Sequence, residues 1–100
     1  MKKNNNPDTS QGSSAAKLYF ERRKMVVINQ VRVCKTHAEN SNFVEPLRLI
    51  QGPLKSPLSK HAKGELEVLL GELSLPVPAK ILVVEQLSLA LQKIEKVEYR

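Results

Sequence analysis

Residues 15–39 read AAKLYFERRKMVVINQVRVCKTHAE, and whether this stretch is helix or strand decides the fold class. As a helix it sets Phe20, Val27, Val31, Cys34 and Ala38 on one face at spacings of 7, 4, 3 and 4, with Lys24 interrupting the stripe near its edge. Ser13 or Ser14 supplies a suitable N-cap, so the helix is expected to start after one of them. Against this, Met25-Val26-Val27-Ile28 and Val31-Arg32-Val33 are rich in β-branched side chains, which fit a pleated surface better. A strand through residues 25–34 would bring Met25, Val27, Val31 and Val33 to one side. No glycine or hairpin turn breaks the segment, and that favours helix. The expected fold is all-α, with α+β, carrying a strand near residues 25–34, as the alternative.

Upstream, residues 1–14 (MKKNNNPDTSQGSS) offer almost nothing to bury, so a flexible tail is expected there and a single small helical domain over 15–100. Downstream, Asn40-Ser41-Asn42 is turn-forming, and Glu45-Pro46 opens a short helix through Leu47, Leu49 and Ile50 that should end at Gly52. Gly52-Pro53 and Ser56-Pro57 read as a loop. Residues 57–73 then form a helix capped by Ser56, with Leu58, Ala62, Leu66, Leu69 and Leu73 in one narrow stripe. Gly64 and Gly71 weaken it by about 1 kcal/mol each relative to Ala. Close approach of a neighbouring helix is one reason to keep them.

The connector Ser74-Leu75-Pro76-Val77-Pro78 is stiff and non-helical. A last helix from Pro78 to about Val97 carries Val83, Leu87, Ala90, Ile94 and Val97 as a seam at spacings 4, 3, 4 and 3. Ile81, Leu82, Val84, Leu89 and Leu91 fall outside that seam. A helix so broadly apolar is either central to the domain or shared with another chain. With its predecessor it should form an antiparallel hairpin.

The 100 residues are 41% hydrophobic with two Tyr, two Phe and no Trp, so the core must be aliphatic. The formal charge of +6 is uneven. Lys17, Arg22, Arg23, Lys24, Arg32 and Lys35 face Glu21 alone over residues 14–37, whereas six Glu outnumber four bases over 64–100. Such asymmetry points to a polyanion-facing end and a differently employed end. By helical geometry Arg23 and Lys24 flank the apolar stripe while Arg22 points away. The charges are spread round the helix, which suits general attraction to phosphates better than base reading.

Catalytic constellations are scarce. There is no dinucleotide or P-loop glycine motif, no G-x-S-x-G and no H-E-x-x-H, so an enzyme is not expected. Glu65, Glu67 and Glu72, like Glu95 and Glu98, read as solvated helix faces. Cys34, His37 and Glu39, with His61 and Glu65, lack the paired spacings of a structural zinc site, and neither metal nor cofactor is expected. Cys34, the lone cysteine, makes no intrachain disulfide and reads as a small core residue. Met1-Lys2-Lys3 runs into Asn4-Asn5-Asn6 where a signal peptide would be apolar, and no membrane-length apolar run follows. A cytoplasmic location is expected.

Two functional readings follow. In the first, the chain is a small nonenzymatic regulator that binds nucleic acid through Lys17, Arg22, Arg23, Lys24, Arg32 and Lys35. It would self-associate as a homo-oligomer through Val83, Leu87, Ala90, Ile94 and Val97. In the second, it is an adaptor or chaperone-like module whose hairpin offers an apolar face to a partner protein.

Overall fold

In the computed structural model, which describes residues 8–99 and side chains from residue 14 on, the deciding stretch is helical throughout. Helix α1 (Asp8–Glu39) runs 32 residues, about 48 Å at 1.5 Å per residue. It begins earlier than the serine caps suggest. Of the segment 1–14 expected as a tail, residues 8–14 continue the helix and residues 1–7 lie outside the described residues.

The β-branched run is compatible with this helix because only half of it faces inward. Val27, Ile28, Val31, Cys34 and Ala38 are buried, whereas Met25, Val26 and Val33 are exposed. The strand alternative would have put Met25 and Val33 on the same side as Val27 and Val31. No strand occurs among the described residues, and the fold is all-α.

Helix α1 stops in a Schellman arrangement. The Asn42 amide donates to the His37 carbonyl at 2.8 Å and the Ser41 amide to that of Ala38 at 2.9 Å. Ser41 holds the left-handed conformation this turn requires, at φ 62°. A serine there strains against its own Cβ. Ser41→Gly is therefore expected to stabilise the domain by about 0.5–1 kcal/mol, less than the full conformational strain because glycine also gains entropy when unfolded. A higher urea midpoint at unchanged slope is the measurement.

Asn42 then starts the next element, its Oδ1 accepting from the amides of Val44 (3.1 Å) and Glu45 (3.4 Å). Helix α2 (Val44–Leu49) and helix α3 (Gln51–Lys55) meet at the buried Ile50. The expected stop at Gly52 and the loop beyond it are thus corrected. Pro53 sits in the first turn of α3, where a missing amide donor costs nothing, so the chain re-enters a helix. A Cβ at the exposed Gly52 would lie 3.0 Å from the amide end of the Gln30 side chain of α1. No close approach of a neighbouring helix occurs at Gly64 or Gly71, where an added Cβ meets nothing within 4 Å.

The helix expected over 57–73 is two pieces, a 3-10 helix (Pro57–Ala62) followed by α4 (Lys63–Leu73). Ser56 caps the first piece as expected, its Oγ accepting from the Leu58 amide. The three-residue period of the 3-10 turn buries Ser59 together with Ala62. Helix α5 (Lys80–Glu95) is shorter at both ends than expected from residues 78–97. At its start the Ala79 amide donates to the Glu72 carboxylate at 2.7 Å.

Helices α4 and α5 form the antiparallel hairpin, and Lys93 near the end of α5 pairs with Glu65 near the start of α4. The hairpin closes over α1, and one aliphatic core unites them: Val27, Val31 and Cys34 of α1, Leu66, Leu69 and Leu73 of α4, and Val83, Leu87, Ala90 and Ile94 of α5.

Candidate functional site

Helices α1 and α5 run antiparallel, which sorts the surface into two ends. At one end Lys24 Nζ donates to the Val97 carbonyl at 2.6 Å, and Phe20 meets Tyr99 edge-to-face with centroids 5.7 Å apart. At the other end Lys80 Nζ reaches Ser41 Oγ at 3.4 Å.

The six basic residues singled out on α1 do not form one set. Lys17, Arg22 and Arg23 are exposed. Arg23 Cζ lies 6.0 Å from the ring centroid of Tyr19, a cation–π stacking arrangement at the surface. Lys24 is half-buried and spent on the Val97 carbonyl, while Arg32 is tied to Glu95 at 3.1 Å. Lys35 is half-buried farther along the helix. Lys24 and Arg32 therefore act as tethers between α1 and the C-terminal segment. They are less available to a ligand than Arg22 and Arg23.

The fold brings other basic residues to the same end. An open groove of about 460 Å³ is lined by Ala16, Tyr19, Phe20, Arg23, Leu58 and Tyr99, with Ser56 and Pro57 on its far wall. Ser56 and Pro57 also border a smaller groove that carries Lys55, Lys60 and Lys63. A third groove is lined by His61, Lys93, Lys96, Val97 and Glu98. Residues from three separated stretches (16–23, 55–63 and 93–99) thus share one end of the molecule, and aromatic rings stand among the bases.

Lys55, Lys60, Lys63 and Lys96 were not among the candidate contacts read from the sequence. The signal for the first three is legible: between Glu45 and Glu65 the chain has no acidic residue, while Arg48, Lys55, Lys60, His61 and Lys63 all lie there. Arg48 is engaged with Glu45 and holds that carboxyl below the usual carboxylate range. Lys93 does the same for Glu65. Among the described residues, Lys55, Lys60, Lys63 and Lys96 form no ion pair.

The expected self-association seam requires correction. Val83, Leu87, Ala90 and Ile94 are 0% exposed, sealed against α1 and α4 of the same chain, and Val97 is half-buried. The breadth of apolar surface on α5 is that of a central helix. What remains exposed lies outside the seam. Ile81 is 85% exposed and Val77 84%, at the end away from the bases.

Cys34 and His37 lie on neighbouring turns of α1 but serve different surroundings. His37 faces the Asn42 side chain at 3.4 Å, and Cys34 is fully buried with Sγ 3.9 Å from the Pro46 carbonyl. Burial pushes the Cys34 thiol up to about 11. At pH 8, iodoacetamide should label Cys34 roughly 100-fold more slowly in the folded chain than in urea, since only the thiolate reacts. Equal rates would place this thiol at the surface. Among the described residues no group of three or more His, Cys, Asp or Glu side chains is placed to hold a metal ion, and no helix is long and apolar enough to cross a membrane. No family model, curated protein or solved structure matches the chain.

Proposed function

We propose that the chain is a nonenzymatic nucleic-acid-binding protein that contacts the phosphate backbone with the basic end built by α1, the 55–63 segment and the C-terminal turn. One observation carries the reading: Arg23, Lys55, Lys60, Lys63 and Lys96 line the grooves at this end with Tyr19 and Tyr99 among them, and Lys17 and Arg22 are exposed on the same stretch of α1. Clustered bases that are not neutralised within the fold attract a polyanion through release of its counterions. Aromatic rings beside them give unpaired bases a surface to stack on. The charges belong to α1 and to several short segments, not to one helix face. That geometry suits backbone contact more than reading base edges in a groove.

Fluorescence anisotropy with a labelled duplex and a labelled single strand, each at low and moderate salt, tests this. Binding that weakens steeply as salt rises is the expected result. No binding to either at low salt would end the reading.

A second reading has its own support. Val77 and Ile81 form an apolar exposure at the opposite end, which suits contact with a protein, including a second copy of this chain. Sedimentation of the free chain distinguishes a second copy from a different partner.

A further inference from the structure

The smallest of these three grooves contains a feature that packing does not explain. It is about 250 Å³ in volume and is lined by Leu54, Lys55, Ser56, Ser59, Lys60 and Lys63. Ser59 is 2% exposed, the one buried polar residue among those described, and its Oγ has no hydrogen-bond partner. Buried hydroxyls nearly always find a partner within the fold, because an unmade hydrogen bond is costly. Its neighbour shows the ordinary pattern: Ser56 Oγ accepts from the Leu58 amide. Ser59 lines this groove together with three lysines, and its Oγ, sealed from solvent in the free chain, meets an acceptor in the groove only by turning about χ1.

We propose that this groove binds a phosphate group. On binding, the Ser59 hydroxyl turns into the groove and donates to one phosphoryl oxygen, while Lys55, Lys60 and Lys63 neutralise the charge from the rim. Of the nearest acids, Glu65 is held by Lys93, and Glu67, which shares a face of α4 with Lys63 at i+4, forms no ion pair with it. The volume is below the range of about 300–1,000 Å³ typical of pockets that enclose a whole small molecule. The groove therefore takes a phosphate and leaves the rest of its carrier outside. Where that carrier is a nucleic-acid backbone, the inference rests on the function proposed above. Free phosphate or a small phosphate ester presents the same chemistry.

The test is an amide-resolved NMR titration of the full chain with inorganic phosphate, against chloride at equal ionic strength, followed by a short single-stranded oligonucleotide. Saturable shifts centred on residues 56–64 are expected with phosphate and not with chloride. Ser59→Ala should weaken phosphate binding about tenfold, as expected for one hydrogen bond to a charged group. In phosphate-free buffer the same variant should melt at a higher temperature than the parent, because the orphaned hydroxyl is gone. Unchanged phosphate affinity in Ser59→Ala, or a lower melting temperature, overturns the proposal. If phosphate shifts the groove and the oligonucleotide does not bind, the groove reading stands with a free phosphate or small ester as ligand, and the nucleic-acid reading falls. If the oligonucleotide binds parent and Ser59→Ala alike while phosphate shifts nothing, the groove reading falls and the nucleic-acid reading survives.

Discussion

Leu87→Glu is expected to unfold the domain, not to release a partner from it. Leu87 is 0% exposed at the centre of α5, between the core faces of α1 and α4. Truncating a buried leucine to alanine alone costs about 2–5 kcal/mol. A carboxylate at that position must in addition be buried without a counter-charge or be protonated, and either adds several kcal/mol. Domains of this length have a total stability of about 5–15 kcal/mol, so the substitution removes most or all of it. Circular dichroism at 222 nm should show loss of the cooperative melt. The matched control is Ile81→Glu on the same helix: at 85% exposure it should leave the melt within a few degrees of the parent. A folded Leu87→Glu chain that sediments differently from the parent would instead make this seam an interface and would contradict its place in the core.

That contrast shows where the sequence was legible. The seam at Val83, Leu87, Ala90 and Ile94 was readable from periodicity alone, and all four residues are buried. Periodicity names the face that is covered, but it does not say whether the cover comes from the same chain. Here α1 and α4 supply it.

The helix–strand ambiguity of residues 25–34 had a similar origin. Local propensity weighs Met25, Val26 and Val33 as heavily as Val27 and Val31, although only the second pair is held by the core. The 3.6-residue stripe was the better guide because it measures what tertiary packing uses. Proline was over-read as a terminator. Pro53, read as part of a loop, sits in the first turn of α3 and is buried, whereas Pro46 lies in the first turn of α2 as a helix-opening proline should. The basic end was only half legible. Arg22 and Arg23 stood out as a run, whereas Lys55, Lys60 and Lys63 joined them only once the chain had folded back.

Four of the six basic positions of α1 should separate into two classes when neutralised. Arg22→Ala with Arg23→Ala removes two exposed guanidinium groups and the stacking of Arg23 on Tyr19. If each contacts a phosphate, affinity for nucleic acid at low salt should fall by at least about 100-fold, since a hydrogen bond to a charged group contributes about 1.5–3 kcal/mol. The slope of log affinity against log salt should shrink by about 2, one released counterion for each lost contact. Thermal stability should hardly change, because neither side chain is engaged in an ion pair among the described residues. Arg32→Ala should do the reverse. Its guanidinium is held by Glu95, so its loss leaves the salt slope unaltered and costs at most about 1 kcal/mol of stability, as for other exposed pairs. Lys24→Ala should behave like Arg32→Ala, freeing the Val97 carbonyl that anchors the C-terminal turn. If all four substitutions lowered the salt slope equally, binding would depend on net charge alone, and the basic end would have no special part in it. A division between the pairs would show that the fold has selected which of its charges meet the ligand.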